Sequence, residues 1–408
     1  MLLNAAAGLG ISTYLGATHG IVAVGQFNLL FALYLLAGQI TSCGVHLSCL
    51  HYQALGVPNA LEWKASAHAA CVVTLLTGVL GGGVLWLCAN PLANLLKASN
   101  VAPGIAWLAC AAALLGLNKV VFSLYNAADN LLRLAFLQGV RPIVWSGGLL
   151  GGLYFKFDIV RLFGVVFGVG EGVVLFLGIM LWPLLWRPLS TPILLKPWIL
   201  RHIRFGLKAA PSHALIDLNA KLDVVLVSAM TNEAAVGVYS FVALLAEGVF
   251  QGSVLIRTVI THRLVRLLAA GDMAGLRRLV FQAGGWNVWF TLAASLILLA
   301  LFSPAVSFFH IDPHMMEGKS ALSILLGGIV ASAFWAPFWM NLLLAGYPLT
   351  HTVFMLLLCC VNVMLNLALI PLWGINGAAL GTAAMFVVMP IILSFFMRKI
   401  LGFHMLSR

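Results

Sequence analysis

Charge is what this chain has least of. Aspartate, glutamate, lysine and arginine make up 8% of its 408 residues, against roughly a quarter in a soluble domain. Acid is scarcer than base, 11 residues against 22, and no acid precedes Glu62. Hydrophobic residues reach 62% and the mean hydropathy is +1.06. Such a chain cannot clothe itself in polar surface, so lipid must be its solvent. Disulfide-framework chemistry is excluded too, because the 7 cysteines are scattered and several, including Cys71, Cys359 and Cys360, lie inside apolar runs. No lysine or arginine precedes Lys64, so the basic start of a signal peptide is missing. Walker loops, dinucleotide fingerprints and nucleophile elbows are all missing, and neither enzyme chemistry nor a cofactor is expected.

What is present is a series of long apolar runs. Only helices and closed barrels satisfy every backbone group in lipid. Barrel strands alternate apolar and polar residues over about ten positions. Here the runs are continuous and of helical length, which predicts an all-α integral membrane protein. About twelve spans are expected, near 2–18, 27–49, 67–89, 102–125, 136–155, 162–182, 208–230, 236–256, 280–303, 320–344, 350–370 and 375–397. With the N-terminus inside, fifteen lysines and arginines fall in cytoplasmic segments, four in outer loops and three within spans. That bias predicts cytoplasmic N- and C-termini. It also accounts for most of the net charge of +11 without a nucleic-acid partner.

The outer loops are short. Two longer segments are expected inside: a Pro- and Arg-rich linker at 183–206, and a basic amphipathic surface helix at 257–279. The linker divides the chain into an N-terminal six-helix bundle, 1–200, and a C-terminal one, 201–408. A weak repeat supports the division. "VGQFNLLFALYLLAG" (24–38) and "VGVYSFVALLAEG" (236–248) share Val-Gly-x-aromatic followed by an apolar helix, with Gly25 and Gly237 separated by 212 positions. Two halves facing the same way make a parallel repeat, a plan transporters use with the site at the repeat interface.

Ionisable residues within spans are costly and normally face protein or water. The acids are Glu171, Asp217, Asp223 and Glu247; the cations are Lys119, Arg141 and Lys221. They are densest in "HALIDLNAKLDVVLV" (213–227), where Asp217 and Lys221 form one i,i+4 pair and Asn219 and Asp223 another. One reading has Asp217 and Lys221 neutralise each other and pin the helix. The other has the band line a water-filled cavity. Lys119, Arg141, Lys221 and Asn219 then bind an anionic substrate, and Asp217, Asp223 or Glu247 takes a coupling proton or sodium ion. Glu171, between Gly170 and Gly172, suits a close helix approach, and Arg141 suits snorkelling to headgroups. Cys43, His46 and Cys49 drift around a helix and suit core better than zinc, so no metal site is expected. In "VNVMLNLALIPLWGINGAALGTA" (361–383), Asn362 and Asn366 stack on one face. Pro371 and the small residues Gly374, Gly377, Ala378 and Gly381 follow. This predicts a tight helical hairpin stapled by amides.

The same stretch resembles the C-terminal signature of polysaccharide, O-antigen-type flippases of the multidrug/oligosaccharidyl-lipid/polysaccharide exporter superfamily. "KLDVVLVSAMTNEAAVGVYSFVALLAEG" (221–248) resembles their seventh-to-eighth helix passage, with Asp223, Gly237 and Tyr239 in matching places. "HRLVRLLAAGDMAGLRRL" (262–279) resembles the cytoplasmic segment that follows, and "LGATHGIVAVGQFNLLFAL" (15–33) carries a weaker likeness in the first half. The superfamily commonly has a longer first helix with a basic start, and a proline early in the cytoplasmic segment where this chain has Thr261-His262. The resemblance implies a V-shaped pair of six-helix bundles working by alternating access in a bacterial inner membrane. It implies a polyprenyl-pyrophosphate-linked oligosaccharide as substrate, undecaprenyl in the family, its sugar in a cationic lumen and its tail in the bilayer. Membrane lipid and other polysaccharide-assembly membrane proteins are the expected partners. The rival is a multidrug exporter of the same superfamily, which needs membrane carboxylates, commonly one in the first helix. A lipid-linked-sugar polymerase or ligase is disfavoured by the short outer loops.

Overall fold

A computed structural model describes residues 2–54, 60–128, 130–182, 195–270, 272–344 and 347–401. Among them there are helices, turns and no strands. The helices are α1 (Leu2–Thr18), α2 (Gly20–Ser42), α3 (Val45–Ala54), α4 (Ala60–Leu87), α5 (Ala89–Leu95), α6 (Ala102–Ala127), α7 (Leu131–Tyr154) and α8 (Ile159–Met180). They continue with α9 (Leu195–Met230), α10 (Glu233–Ala270), α11 (Met273–Phe308), α12 (Gly318–Ser332), α13 (Asn341–Leu344) and α14 (Pro348–Leu401). Seven of the described helical stretches are long and apolar enough by themselves to cross a membrane. The last of these contains two expected spans, because α14 is broken at Gly374, where φ is +55° and ψ −129°.

That break makes the expected hairpin. A Cβ on Gly377 would lie 2.1 Å from the Leu369 carbonyl oxygen, and one on Gly381 would lie 3.1 Å from the Asn366 amide. Residues 8 and 15 positions apart touch in this way only if the chain doubles back. Glycine serves twice: at 374 for the left-handed backbone, and at 377 and 381 for close approach.

Three expectations change. The span expected at 27–49 is cut after Ser42, where Cys43 and Gly44 take φ of 45° and 68° and α3 starts afresh. The span expected at 320–344 is α12, a 3-10 turn at Ala336–Phe338 and α13. Pro337 lies in that turn, and the Ala333 carbonyl accepts from Asn287 Nδ2 at 2.6 Å. An amide from α11 thus satisfies a carbonyl at the end of the interrupted helix. The surface helix expected at 257–279 is instead the end of α10 and the start of α11, with residue 271 outside the described residues. With α9, these helices run 36 to 38 residues, about 55 Å at 1.5 Å per residue. They outreach a hydrocarbon core of about 30 Å. The part of the linker at 183–194 lies outside the described residues; 195–206 begins α9.

Two compact units emerge. Unit 1 holds residues 1–11 and 26–217; unit 2 holds 12–25 and 218–408. The expected division stood at residue 200, whereas here α9 passes from one unit to the other at Asp217, and α1 and α2 each contribute to both. In unit 1, α6 packs against α3, α4, α7 and α8, burying Leu108, Ala111, Ala112 and Leu115. The first part of α9 docks on α3 and α4 through Trp198, which packs with Ala65 and Ala69. Beside it His202 is fully buried, with Nδ1 2.9 Å from Ser48 Oγ and Nε2 3.0 Å from the Ser66 carbonyl. In unit 2, α10, α11, α12 and α14 pack together. Here the two repeat glycines meet. A Cβ on Gly25 would sit 2.5 Å from the Glu233 carbonyl oxygen, and one on Gly237 would sit 2.1 Å from that of Ile21. Each contact is the other shifted by 212 positions. The flanking repeat positions Val24, Val236, Phe27 and Tyr239 are all buried.

Two outcomes follow from this packing. Gly237→Val should lower stability in detergent by about 1–3 kcal/mol through overpacking, read as a fall in thermal midpoint. Gly83→Ala, where a Cβ meets nothing within 4 Å, should not. His202 stands on α9 ahead of the expected span, and burial holds its imidazole at about 4 against an ordinary 6.5. The native state therefore binds fewer protons than the unfolded state between these values, so stability is complete above pH 6.5 and falls as pH drops toward 4. His202→Gln should flatten that slope in melts recorded across the same window.

Candidate functional site

Two polar clusters lie inside the apolar helices, one in each unit. In unit 1 the centre is Glu171, fully buried on α8. Its carboxylate accepts from Tyr34 Oη at 2.6 Å and Asn118 Nδ2 at 2.7 Å. Arg141 Nη2 donates to it at 3.0 Å, and Arg141 Nε stands 2.7 Å from its other oxygen. Gly170 makes room, since a Cβ there would lie 2.3 Å from the Trp145 indole nitrogen. The guanidinium lies 5.2 Å from the Phe122 ring centroid and 5.9 Å from that of Trp145. Four helices, α2, α6, α7 and α8, thus converge on one carboxylate. Of the two glycine flanks of Glu171, Gly170 marks a close approach, but the side chain is the hub of it. Arg141 is not snorkelling: it is 13% exposed and closed on Glu171. Its charge is paired within the bundle by Glu171.

Lys119, next to Asn118 on α6, donates to Gln39 Oε1 at 2.7 Å.

In unit 2 the cluster is built on the band that starts α9's apolar half. Lys221 Nζ lies 2.8 Å from Glu247 Oε2 on α10, with side chains 14% and 39% exposed. Asp223 is buried. It accepts from Tyr239 Oη at 2.6 Å and Thr382 Oγ1 at 3.4 Å, while its other oxygen takes the Val224 N–H at 2.8 Å. Asn219 accepts from Asn362 Nδ2 at 3.1 Å. Asn366 Nδ2 donates in turn to Asn362, to its carbonyl at 2.9 Å and to its side-chain oxygen. The amide pair of the α14 hairpin is therefore one end of a chain that reaches α9. The side chain of Asp217 lies outside the described residues, so the structure neither joins it to Lys221 nor parts it. Lys221 takes Glu247 as its carboxylate.

The spans make this segregation possible. Along α9, Asn219 and Asp223 share one side, and Lys221 sits half a turn away. Tyr34, Asn118 and Thr382 were not singled out from sequence. Each is a polar residue in an apolar helix, which is a usable signal, but only the helix register shows which carboxylate it meets.

No family model matches the sequence, and no curated protein does. Solved structures do match. The inward-facing conformation of a multidrug resistance MATE family transporter of the MOP superfamily aligns over 98% of this chain and 94% of its own, at 15% identity and a TM-score of 0.78. The lipid II flippase MurJ, in an inward closed conformation, aligns over 97% and 86%, at 13% identity and 0.79. A Vibrio cholerae MATE transporter aligns over 98% and 95%, at 14% identity and 0.68. This chain has their fold. It is an all-helical, multi-pass membrane fold, and at these identities the likeness extends to architecture alone.

The Glu171 cluster generates a stability test. Removing one partner of a buried pair leaves the other charge uncompensated, at a cost of about 3–5 kcal/mol. Glu171→Ala should show that loss as early aggregation on heating. Combining Glu171→Gln with Arg141→Met, which removes both charges, should recover most of it.

Proposed function

We propose that this protein is a flippase that moves a polyprenyl-pyrophosphate-linked oligosaccharide across a bacterial inner membrane. The observation that carries the reading is the Lys221–Glu247 pair. It joins α9 and α10 at positions expected within spans, and its carboxylate is 39% exposed. An exposed ion pair within a span is costly in lipid, so in this reading the face that holds it meets water. A water-lined face inside a membrane bundle is what a transporter of polar cargo needs. The fold shared with MATE transporters and with the lipid II flippase MurJ agrees with transport.

The cargo class rests on the chemistry of that face and on the sequence resemblance. Lys221 in unit 2 is the proposed positive charge for a pyrophosphate on that face, and Lys119 is a separate candidate in unit 1. Asn219 offers an amide to sugar hydroxyls. Asp217, Asp223 or Glu247 is the proposed site of a coupling proton or sodium ion. Arg141 is left out of the substrate set because Glu171 holds it. The proposed mechanism exposes the water-lined face alternately to the two sides of the membrane, with the sugar in water and the tail in lipid. Both termini stand in the cytoplasm in this reading.

The multidrug alternative has the MATE structures in its favour. Against it, such exporters commonly carry an acid in the first helix, whereas the first acid in this sequence is Glu62, and Glu171 is occupied by Arg141.

Proteoliposomes with a fluorescent polyprenyl-pyrophosphate oligosaccharide and an impermeant quencher test the proposal. Movement should depend on protein and exceed that of a matched phospholipid. Lys221→Ala and Lys119→Ala should each slow it about tenfold, equivalent to about 1.4 kcal/mol of barrier, while inserting and purifying like the wild type. Wild-type rates in both variants would remove the cationic face from the mechanism. Gradient-driven uptake of an organic cation without lipid movement would favour the exporter.

A further inference from the structure

Outside the Glu171 cluster, α7 and α8 leave an open furrow on unit 1 with a volume of about 460 Å³. Val144 and Gly148 of α7 and Val165 and Val169 of α8 line it, and Asp158 and Arg161 stand at one end. Glycine lets α7 close against α8 at its floor: a Cβ on Gly152 would lie 2.2 Å from a Leu162 methyl, and one on Gly148 would lie 3.3 Å from Val166.

Its dimensions point to an occupant. From Asp158 to Val169 is eleven residues of α8, about 16 Å at 1.5 Å per residue. That is about half of a 30 Å hydrocarbon core, so the furrow is one leaflet deep. The Asp158 end carries the marks of a membrane interface. Tyr154, Phe155 and Phe157 are 82%, 72% and 64% exposed, as aromatic side chains are at headgroup level. Lys156 and Arg161 are exposed at the same end. Asp158 is there too, but it caps α8, with Oδ1 accepting the Arg161 backbone N–H at 2.9 Å. Two cations against one acid leave this end net positive.

We infer that the α7–α8 furrow holds one acyl chain of an anionic phospholipid, with Arg161 and Lys156 on its phosphate. The volume accommodates roughly fifteen groups of water or methylene size at about 30 Å³ each, which suits one fatty-acyl chain. A polyprenyl tail several times longer than a leaflet would overrun it. Valine and glycine walls give a smooth apolar surface with nothing for a sugar to bond. The inference stands on the membrane fold and does not depend on which cargo is moved.

Native mass spectrometry tests it, with the full-length protein extracted in mild detergent from vesicles of equal phosphatidylglycerol and phosphatidylethanolamine. The wild type should retain one phosphatidylglycerol in preference to phosphatidylethanolamine. Val165→Trp, which fills the furrow, should reduce that retention about tenfold. Val169→Trp, at a half-exposed position, should do the same with less risk to folding; circular dichroism melts verify both variants. Arg161→Gln should retain a lipid but lose the preference. Retention unchanged in folded Val169→Trp would overturn the proposal, as would equal retention of the two lipids by the wild type. A polyprenyl phosphate that displaces phosphatidylglycerol when added at equal concentration would assign the furrow to another lipid, and would overturn it also.

Discussion

Lipid offers no hydrogen bonds, and that single deficit organises this protein. Every polar group carried into the hydrocarbon must find its partner on another helix. Glu171 shows the rule at its strictest. One carboxylate draws Tyr34, Asn118 and Arg141 from three neighbouring helices, so the register of four helices is fixed by one side chain. A one-turn slip of α7 would strand Arg141 among apolar groups. Apolar packing alone tolerates such slips far better, because one valine or leucine resembles another. Polar groups here trade some desolvation cost for a unique arrangement, a role buried ionic groups play in some proteins.

The two clusters use similar residue types to opposite ends. In unit 1 the carboxylate is fully buried and its cation 13% exposed, and aromatic rings cover the guanidinium. In unit 2 the buried carboxylate, Asp223, is satisfied by hydroxyls and a backbone N–H, while Lys221 meets Glu247 at a partly open position. Closure makes the first a strut. In the proposed function, openness would let the second exchange its partner for an ion or a substrate phosphate at modest cost, because a partly exposed pair is less committed than a buried one. Residue identity does not separate these roles; exposure does.

Much of the fold was legible. Hydropathy alone marks the helices, because in lipid a span must be apolar along its whole length and not merely along one face. The α14 hairpin was legible in more detail, since Pro371, Gly374 and the glycines after it state a break and a close return. Breaks inside apolar runs were harder. The interruption after Ser42 and the one around Pro337 both leave hydropathy untouched, and Asn287, which satisfies a carbonyl at the second, is remote in sequence. The start of α9, the end of α10 and the start of α11 read as linker and surface helix because composition turns basic there. The backbone, however, stays helical through these basic stretches. In the sites, the charged residues were visible one at a time. Their pairing was not, because Arg141 with Glu171 and Lys221 with Glu247 depend on how helices are rotated and staggered, which no local pattern encodes.

The repeat illustrates why a faint signal in sequence can be firm in space. Four matched positions at a spacing of 212 are weak as a text comparison. In the structure Val24 and Val236, Gly25 and Gly237, and Phe27 and Tyr239 are all packing positions, and the glycines touch each other's helices. Gly25 lies against the carbonyl of residue 233 and Gly237 against that of residue 21, so the contact has local two-fold character. A reciprocal contact needs a small residue at both positions, because a Cβ on either one meets backbone rather than a movable side chain. That requirement falls on the pair jointly. Elsewhere the two halves can diverge as each bundle finds its own packing, which accounts for a repeat that is legible at this crossing and faint beyond it.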